Sequence, residues 1–181
     1  MKSLLKILLM SLMTTFVFSE VATPFKSLHE NGNSKEIGFI HKKTGKKHGK
    51  WTYYFKNGKI KQSARYIDGK REGEWKYYYE NAGLWRINYY KDGRPVRKWK
   101  EYFETGKLKR IGSYKNGKRS GKWKRYWSIN GKLQKTGSFK HGKREGEWQH
   151  YYNNGNLKKT IHYQNGNIIK TEIPEEASLS E

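Results

Sequence analysis

The chain has no cysteine among its 181 residues. That excludes disulfides, thiolate metal ligands, cysteine nucleophiles and a lipidated-cysteine anchor. Acidic residues are scarce, with 16 Asp and Glu against 39 Lys and Arg, for a formal charge of +23. Such a surface favours anionic partners. Long apolar runs are lacking as well. The longest, from Ile7 to Phe18, is too short to span a bilayer comfortably. It follows Lys2 and Lys6 and ends in Val17-Phe-Ser19, so residues 1–19 read as a secretory signal peptide. The mature chain is therefore expected outside the cytoplasm, in the periplasm, the cell envelope or the medium.

Aromatic residues are abundant. Of the 28 rings, 25 lie between Phe39 and Tyr163, where aliphatic residues are few. Any core there must be built mainly from rings, each able to bury about 150–250 Å². The rings recur in order. Gly69-Lys-Arg-Glu-Gly-Glu-Trp75 returns letter for letter at Gly142 to Trp148, and looser copies surround it. Tryptophans therefore fall at Trp51, Trp75, Trp99, Trp123 and Trp148, 24 or 25 residues apart. Self-similarity at a fixed period marks a repeat architecture.

Aligned on these tryptophans, a glycine stands six residues earlier (Gly45, Gly69, Gly93, Gly117, Gly142). Another stands two residues earlier (Gly49, Gly73, Gly121, Gly146), with Arg97 replacing it in the third copy. A tyrosine follows by three positions, including Tyr78, Tyr102 and Tyr126, and a further ring by four. Then come turn signals such as Asn57-Gly58, Asn81-Ala-Gly83 and Asn130-Gly131. A partial sixth copy begins at Asn165-Gly166. Short ring-rich runs between Asn-Gly pairs predict β-strands joined as hairpins, with Asn-Gly filling two-residue turns. Helix is disfavoured, because a glycine arrives about every ten residues.

The fold class expected is all-β: an elongated antiparallel hairpin meander of about five 24-residue repeats plus a partial sixth. It occupies residues 39–170, after a linker at 20–38 and before an acidic, solvated tail at 171–181. Side-chain alternation places Trp, Leu and rings on one face, Tyr and Lys on the other.

The unit, in its fourth copy Tyr114-Lys-Asn-Gly-Lys-Arg-Ser-Gly-Lys-Trp-Lys-Arg-Tyr126, resembles the MORN repeat, closest to the bacterial variant found in antitoxin-like repeat proteins. The resemblance covers about residues 39–170 and implies a β-hairpin scaffold. Arg97 with Pro95 in copy three, and Lys42 where a ring is expected nine residues before Trp51, depart from the pattern. They predict a kink at copy three and an atypical first repeat.

Enzymatic constellations are weak. Gly112 to Lys118 and Gly137 to Lys143 fit the start of a phosphate-binding loop, but arginine follows where Ser or Thr must hold magnesium, and no helix follows. Glu72 and Glu74, repeated at Glu145 and Glu147, sit among Lys and Arg that keep them ionised, the wrong direction for a general acid. His150 and His162 fall on neighbouring strands without a third ligand, so no metal is expected. No cofactor site is evident, and the chain reads as non-enzymatic.

The basic turns are more telling. Lys46-Lys47, Lys70-Arg71, Lys118-Arg119 and Lys143-Arg144 occupy one place in four copies, and Arg94 marks the third. They predict a positive ridge along one edge, joined by exposed Tyr78, Tyr102 and Tyr126. The function expected is an exported, non-enzymatic binding scaffold for a protein partner or an anionic polymer or lipid surface. The antitoxin-like resemblance implies an alternative, neutralisation of a cognate toxin. Export argues against nucleic acid as the target.

Overall fold

Every strand of the computed structural model, which describes residues 21–175, belongs to one antiparallel sheet. The expected signal peptide, and the end of the tail from residue 176, lie outside the described residues. The strands are β1 (Ala22–Leu28), β2 (Ser34–His41), β3 (Lys47–Tyr54), β4 (Ile60–Ile67), β5 (Lys70–Arg71), β6 (Gly73–Tyr78) and β7 (Leu84–Lys91). They continue as β8 (Arg94–Tyr102), β9 (Leu108–Lys115), β10 (Lys118–Tyr126), β11 (Leu133–Lys140), β12 (Lys143–Tyr151), β13 (Leu157–Gln164) and β14 (Asn167–Glu172). Each pairs with its sequence neighbours, and the short β5 is the first part of the strand that β6 continues. The meander is as the repeat predicts.

One local device recurs in every copy. Opposite a single residue of the preceding strand, three residues of the Trp strand bulge out. Gly137 faces residues 146–148, between the pairs Thr136↔Gln149 and Ser138↔Glu145. Gly112 faces 121–123 in the same way. The bulge opens with a left-handed residue: Gly49, Gly73, Gly121 and Gly146 have φ between 66° and 70°. It lays the indole flat over the opposing backbone. A Cβ at Gly137 would stand 2.2 Å from the Trp148 ring, and one at Gly112 only 2.1 Å from Trp123. The indole N–H groups of Trp51, Trp75, Trp123 and Trp148 donate to carbonyls of Phe39, Arg65, Ser113 and Ser138 at 3.1–3.2 Å. Trp51 and Trp75 are only 1% and 2% exposed. Burying one such ring is worth roughly 4–6 kcal/mol before conformational costs.

Copy three departs, though not by a kink in the strands. Arg97 adopts the glycine's left-handed conformation at φ 60°, and the pairings Ile87↔Lys100 and Tyr89↔Val96 repeat the bulge seen elsewhere. What breaks is the ring stack. Edge-on contacts run Trp51–Tyr66–Trp75–Tyr90, while Trp99–Trp123–Phe139–Trp148–Tyr163 forms a second buried cluster. Between them Asn88 occupies the place that is glycine opposite Trp123 and Trp148. The first repeat is atypical as expected. Its Gly38 lies under Trp51, and Ile40 packs where later copies carry a ring, because the following turn is two residues longer.

Two further expectations need correction. The expected linker at 20–38 is not one over its described residues, 21–38: β1 and the start of β2 form a hairpin that extends the sheet, and Phe25 packs against Trp51 with ring centroids 5.4 Å apart. This unit has no tryptophan, so the repeat pattern does not mark it. The tight two-residue turns with both residues left-handed are also not Asn57-Gly58 and its counterparts. They are Asp68-Gly69, Asp92-Gly93, Asn116-Gly117, His141-Gly142 and Asn165-Gly166. Asn57-Gly58 belongs to a longer loop in which Phe55 N–H bonds the Lys59 carbonyl, and only Gly58 is left-handed. The array also runs to Glu172, so the expected tail begins two residues later.

In the loop at Asn81-Ala-Gly83 the left-handed position falls on Ala82, at φ 69°. An L-residue there costs about 1 kcal/mol relative to glycine. Ala82→Gly should therefore raise the melting temperature by about 2–4 °C in a chain of this length. Gly137→Val should drive a side chain into Trp148 and lower stability by about 1–3 kcal/mol or more, read by denaturant unfolding.

Candidate functional site

The two kinds of turn alternate along the chain, so they separate to opposite edges of the sheet. On one edge the tight turns stack. The N–H of Gly69, Gly93, Gly117, Gly142 and Gly166 each donates to a carbonyl one repeat earlier, on Lys47, Arg71, Pro95, Arg119 and Arg144, at 2.8–3.1 Å. The expected basic ridge lies along this edge. Lys46, Arg94, Lys118 and Lys143 lay their stems against the next repeat's turn glycine, with Cβ approaches of 3.4–3.8 Å to the added Cβ position. Their charged ends stay in solvent, as amphipathic side chains allow, and Lys70 is likewise exposed.

The second member of each pair does something else. Lys47 stands 3.9 Å from the centre of the Trp51 ring, and Arg71, Arg119 and Arg144 lie 5.0–5.2 Å from Trp75, Trp123 and Trp148. Arg71, Arg119 and Arg144 also cover Tyr90, Phe139 and Tyr163. Such cation–ring contacts contribute about 0.5–1 kcal/mol each near a surface. Arg144 further donates to the Tyr163 hydroxyl at 2.6 Å. These four cations clamp the core, so the ridge carries one free charge per repeat and not two. In copy three Pro95 stands at that position and supplies no cation, and Arg110 reaches over Trp99 at 5.1 Å instead.

Tyr78, Tyr102 and Tyr126 are not the exposed rings expected. They are half-buried and close the hairpins opposite Leu84, Leu108 and Leu133. The acidic residues also serve structure. Glu72 and Glu145 accept the backbone N–H of Asp92 and Asn165 across the sheet. Glu74 accepts from Tyr89 at 2.7 Å and pairs with Lys76, which holds its carboxyl below the usual range. His150 and His162 do not meet: His150 faces Lys135 and Lys159, and His162 pairs with Glu172. Among the described residues no three metal-ligating side chains cluster.

A second row of residues crosses the Trp face. Two positions after each tryptophan stand Tyr53, Tyr77, Glu101, Arg125 and His150, directly opposite Gln62, Arg86, Arg110, Lys135 and Lys159. Period-two alternation from the tryptophans would have located this row in the sequence. In the first two copies its rings carry the pairing. Tyr53 and Tyr66 share a hydroxyl contact of 3.1 Å. Burial pushes Tyr77 up to about 12. In copy three, buried Glu101 holds Lys109 at 3.0 Å and Arg110 through two N–H groups. Burial alone would raise the Glu101 carboxyl, but the two cations overcome it and lower it.

Because Glu101 is more acidic folded than unfolded, its contribution is complete above the ordinary glutamate range. It is lost as pH falls through the lowered folded value. Glu101→Gln should cost about 2–3 kcal/mol at neutral pH, less than a fully buried pair because Arg110 is partly exposed. The deficit should shrink in acid, as followed by urea unfolding at several pH values.

The pattern described as MORN repeat variant matches residues 47–68, 98–116 and 144–165. No curated protein matches the chain. The matched segments each hold one tryptophan and one ring from the following strand, and the first and third also hold the whole bulge, parts that build the stack described above. At these three segments the chain carries MORN-variant repeats, set within a single β-hairpin array.

Proposed function

We infer that the array is an exported, non-enzymatic binding scaffold whose turn edge engages an extended anionic polymer or an anionic surface. The observation that carries this reading is the ladder of exposed cations. Lys46, Lys70, Arg94, Lys118 and Lys143 recur once per repeat along one edge, at a spacing of roughly 10 Å set by two strands. A hydrogen-bonded turn edge fixes that spacing, so a chain of regularly placed negative charges meets many cations in register. The basic start and apolar run of residues 1–19 support export.

Lys46, Lys70, Lys118 and Lys143 replaced together by Ser should elute from heparin at distinctly lower salt. The slope of log affinity against log salt should fall by up to about 0.9 for each cation removed, if heparin behaves as duplex DNA does. Thermal stability should hardly change, because the clamping residues remain. Unchanged elution would overturn the ridge reading, and salt-insensitive capture of a protein would favour a shape-specific partner held by rings. For export, mass spectrometry of secreted or periplasmic material should find a mature chain starting near Glu20, and a chain retained in the cytoplasm with Lys2 intact would refute it.

A further inference from the structure

The cross-strand row on the Trp face changes character along the array. Through the first two copies it reads Glu36, Tyr53, Gln62, Tyr77 and Arg86. Glu101 then balances Arg110. Beyond that point the opposed residues are Arg110↔Arg125, Arg125↔Lys135, Lys135↔His150 and His150↔Lys159. Like charges directly opposite one another destabilise a sheet; Arg110↔Arg125 and Arg125↔Lys135 are such pairs, and the five side chains of the row are all half-buried. The general basicity of the chain does not account for this, because the same row is neutral two repeats earlier.

The row borders a cavity. Arg110, Arg119, Arg125, Lys135 and Arg144 line a space of about 80 Å³, floored by Trp123, Phe139 and Trp148. That is room for several waters or one tetrahedral phosphoryl group, and a second one reaches the adjoining hollow that shares Arg125 and Lys135. None of the residues lining it is acidic. Beside it, sharing Arg125 and Lys135, a wider hollow of about 600 Å³ is lined by His150, Lys158 and Lys159 with Trp127 and Tyr152. The Nε of Arg125 is buried without a hydrogen-bond partner. Burial lowers the Lys135 ammonium, and Arg125, Arg144, Arg110 and Arg119 lower it further. Burial and then Lys135 and Lys159 do the same to His150. Each carries its charge less readily in the fold than free in water, so an anion seated among them would relieve the strain.

We propose that the Trp face of the fourth and fifth repeats is a binding site for a compact, multiply charged oxyanion, a phosphate monoester or diphosphate. Arg125 and Lys135 form its centre, and Arg110, Arg119 and Arg144 close it. The aromatic floor excludes water beneath the anion and strengthens each charge–charge contact. The site goes beyond the turn-edge ridge and does not depend on it, since no lysine of that ridge lines either hollow.

Isothermal titration with inorganic diphosphate, at ionic strength held constant with sodium chloride, tests this. The full chain should bind saturably at one site and melt at a higher temperature with diphosphate present. Lys135→Gln and Arg125→Gln should each weaken binding at least tenfold. In diphosphate-free buffer Lys135→Gln should melt no lower than the parent, because it removes an opposed charge, so loss of binding is separated from loss of fold. The four-serine ridge variant should bind diphosphate as the parent does. Absence of saturable binding, or a Lys135→Gln chain that binds like the parent, would overturn the proposal. Vesicles with and without phosphatidic acid distinguish a lipid-borne phosphate from a soluble one. Co-sedimentation that diphosphate competes away assigns the site to both sources, and binding of soluble diphosphate alone assigns it to free anions.

Discussion

An indole ring lying flat on the backbone of the preceding strand is the contact on which this molecule depends. A single sheet with no second layer of secondary structure among the described residues cannot bury apolar surface between layers, as most domains do. It must make its core within the thickness of its own side chains. The three-against-one bulge tips each tryptophan onto its neighbour strand, and a glycine beneath Trp51, Trp123 and Trp148 lets those rings approach closely. The left-handed residue that opens the bulge, the carbonyl that receives the indole N–H and the Lys or Arg that covers the outer ring face all serve that one placement. Each repeat therefore rests on the one before it, as expected of a linear array whose units contact only their neighbours.

In copy three several of these parts change together. Asn88 stands where the ring needs a small residue, Arg97 bears the left-handed backbone, and Pro95 removes the clamping cation. The strands keep their register, because that is held by backbone hydrogen bonds. The rings lose continuity, because that depends on side-chain shape. Into the gap the chain places Glu101, with Lys109 and Arg110 bound to it. A polar knot thus joins two aromatic halves of different charge: rings and glutamine before it, Arg125, Lys135 and Lys159 with His150 after it.

Much of this was legible in the residues. The return of tryptophan at 24 or 25 positions, with glycines before and rings after, specifies strands, hairpins and their order. The N-terminal hairpin was not, because β1 offers Phe25 where other units offer tryptophan. The basic pairs were also misread in part. Lys70 and Arg71 look equivalent in sequence, and only the bulge after them turns Arg71 over Trp75 while Lys70 remains at the edge. The cationic row at Arg125, Lys135, His150 and Lys159 escaped for another reason. Its residue types vary from copy to copy, so a search for sameness passes over it, and its members meet only through pairing across strands.

The position beneath the tryptophans runs Gly38, Ala64, Asn88, Gly112, Gly137 and then Ile161. The last is the only branched aliphatic side chain in the series, and it is 8% exposed, paired with Thr171 on a strand that brings no indole. With no indole from the following strand to lie on it, this position no longer has to be small, and the side chain joins the buried cluster with Trp148 and Tyr163.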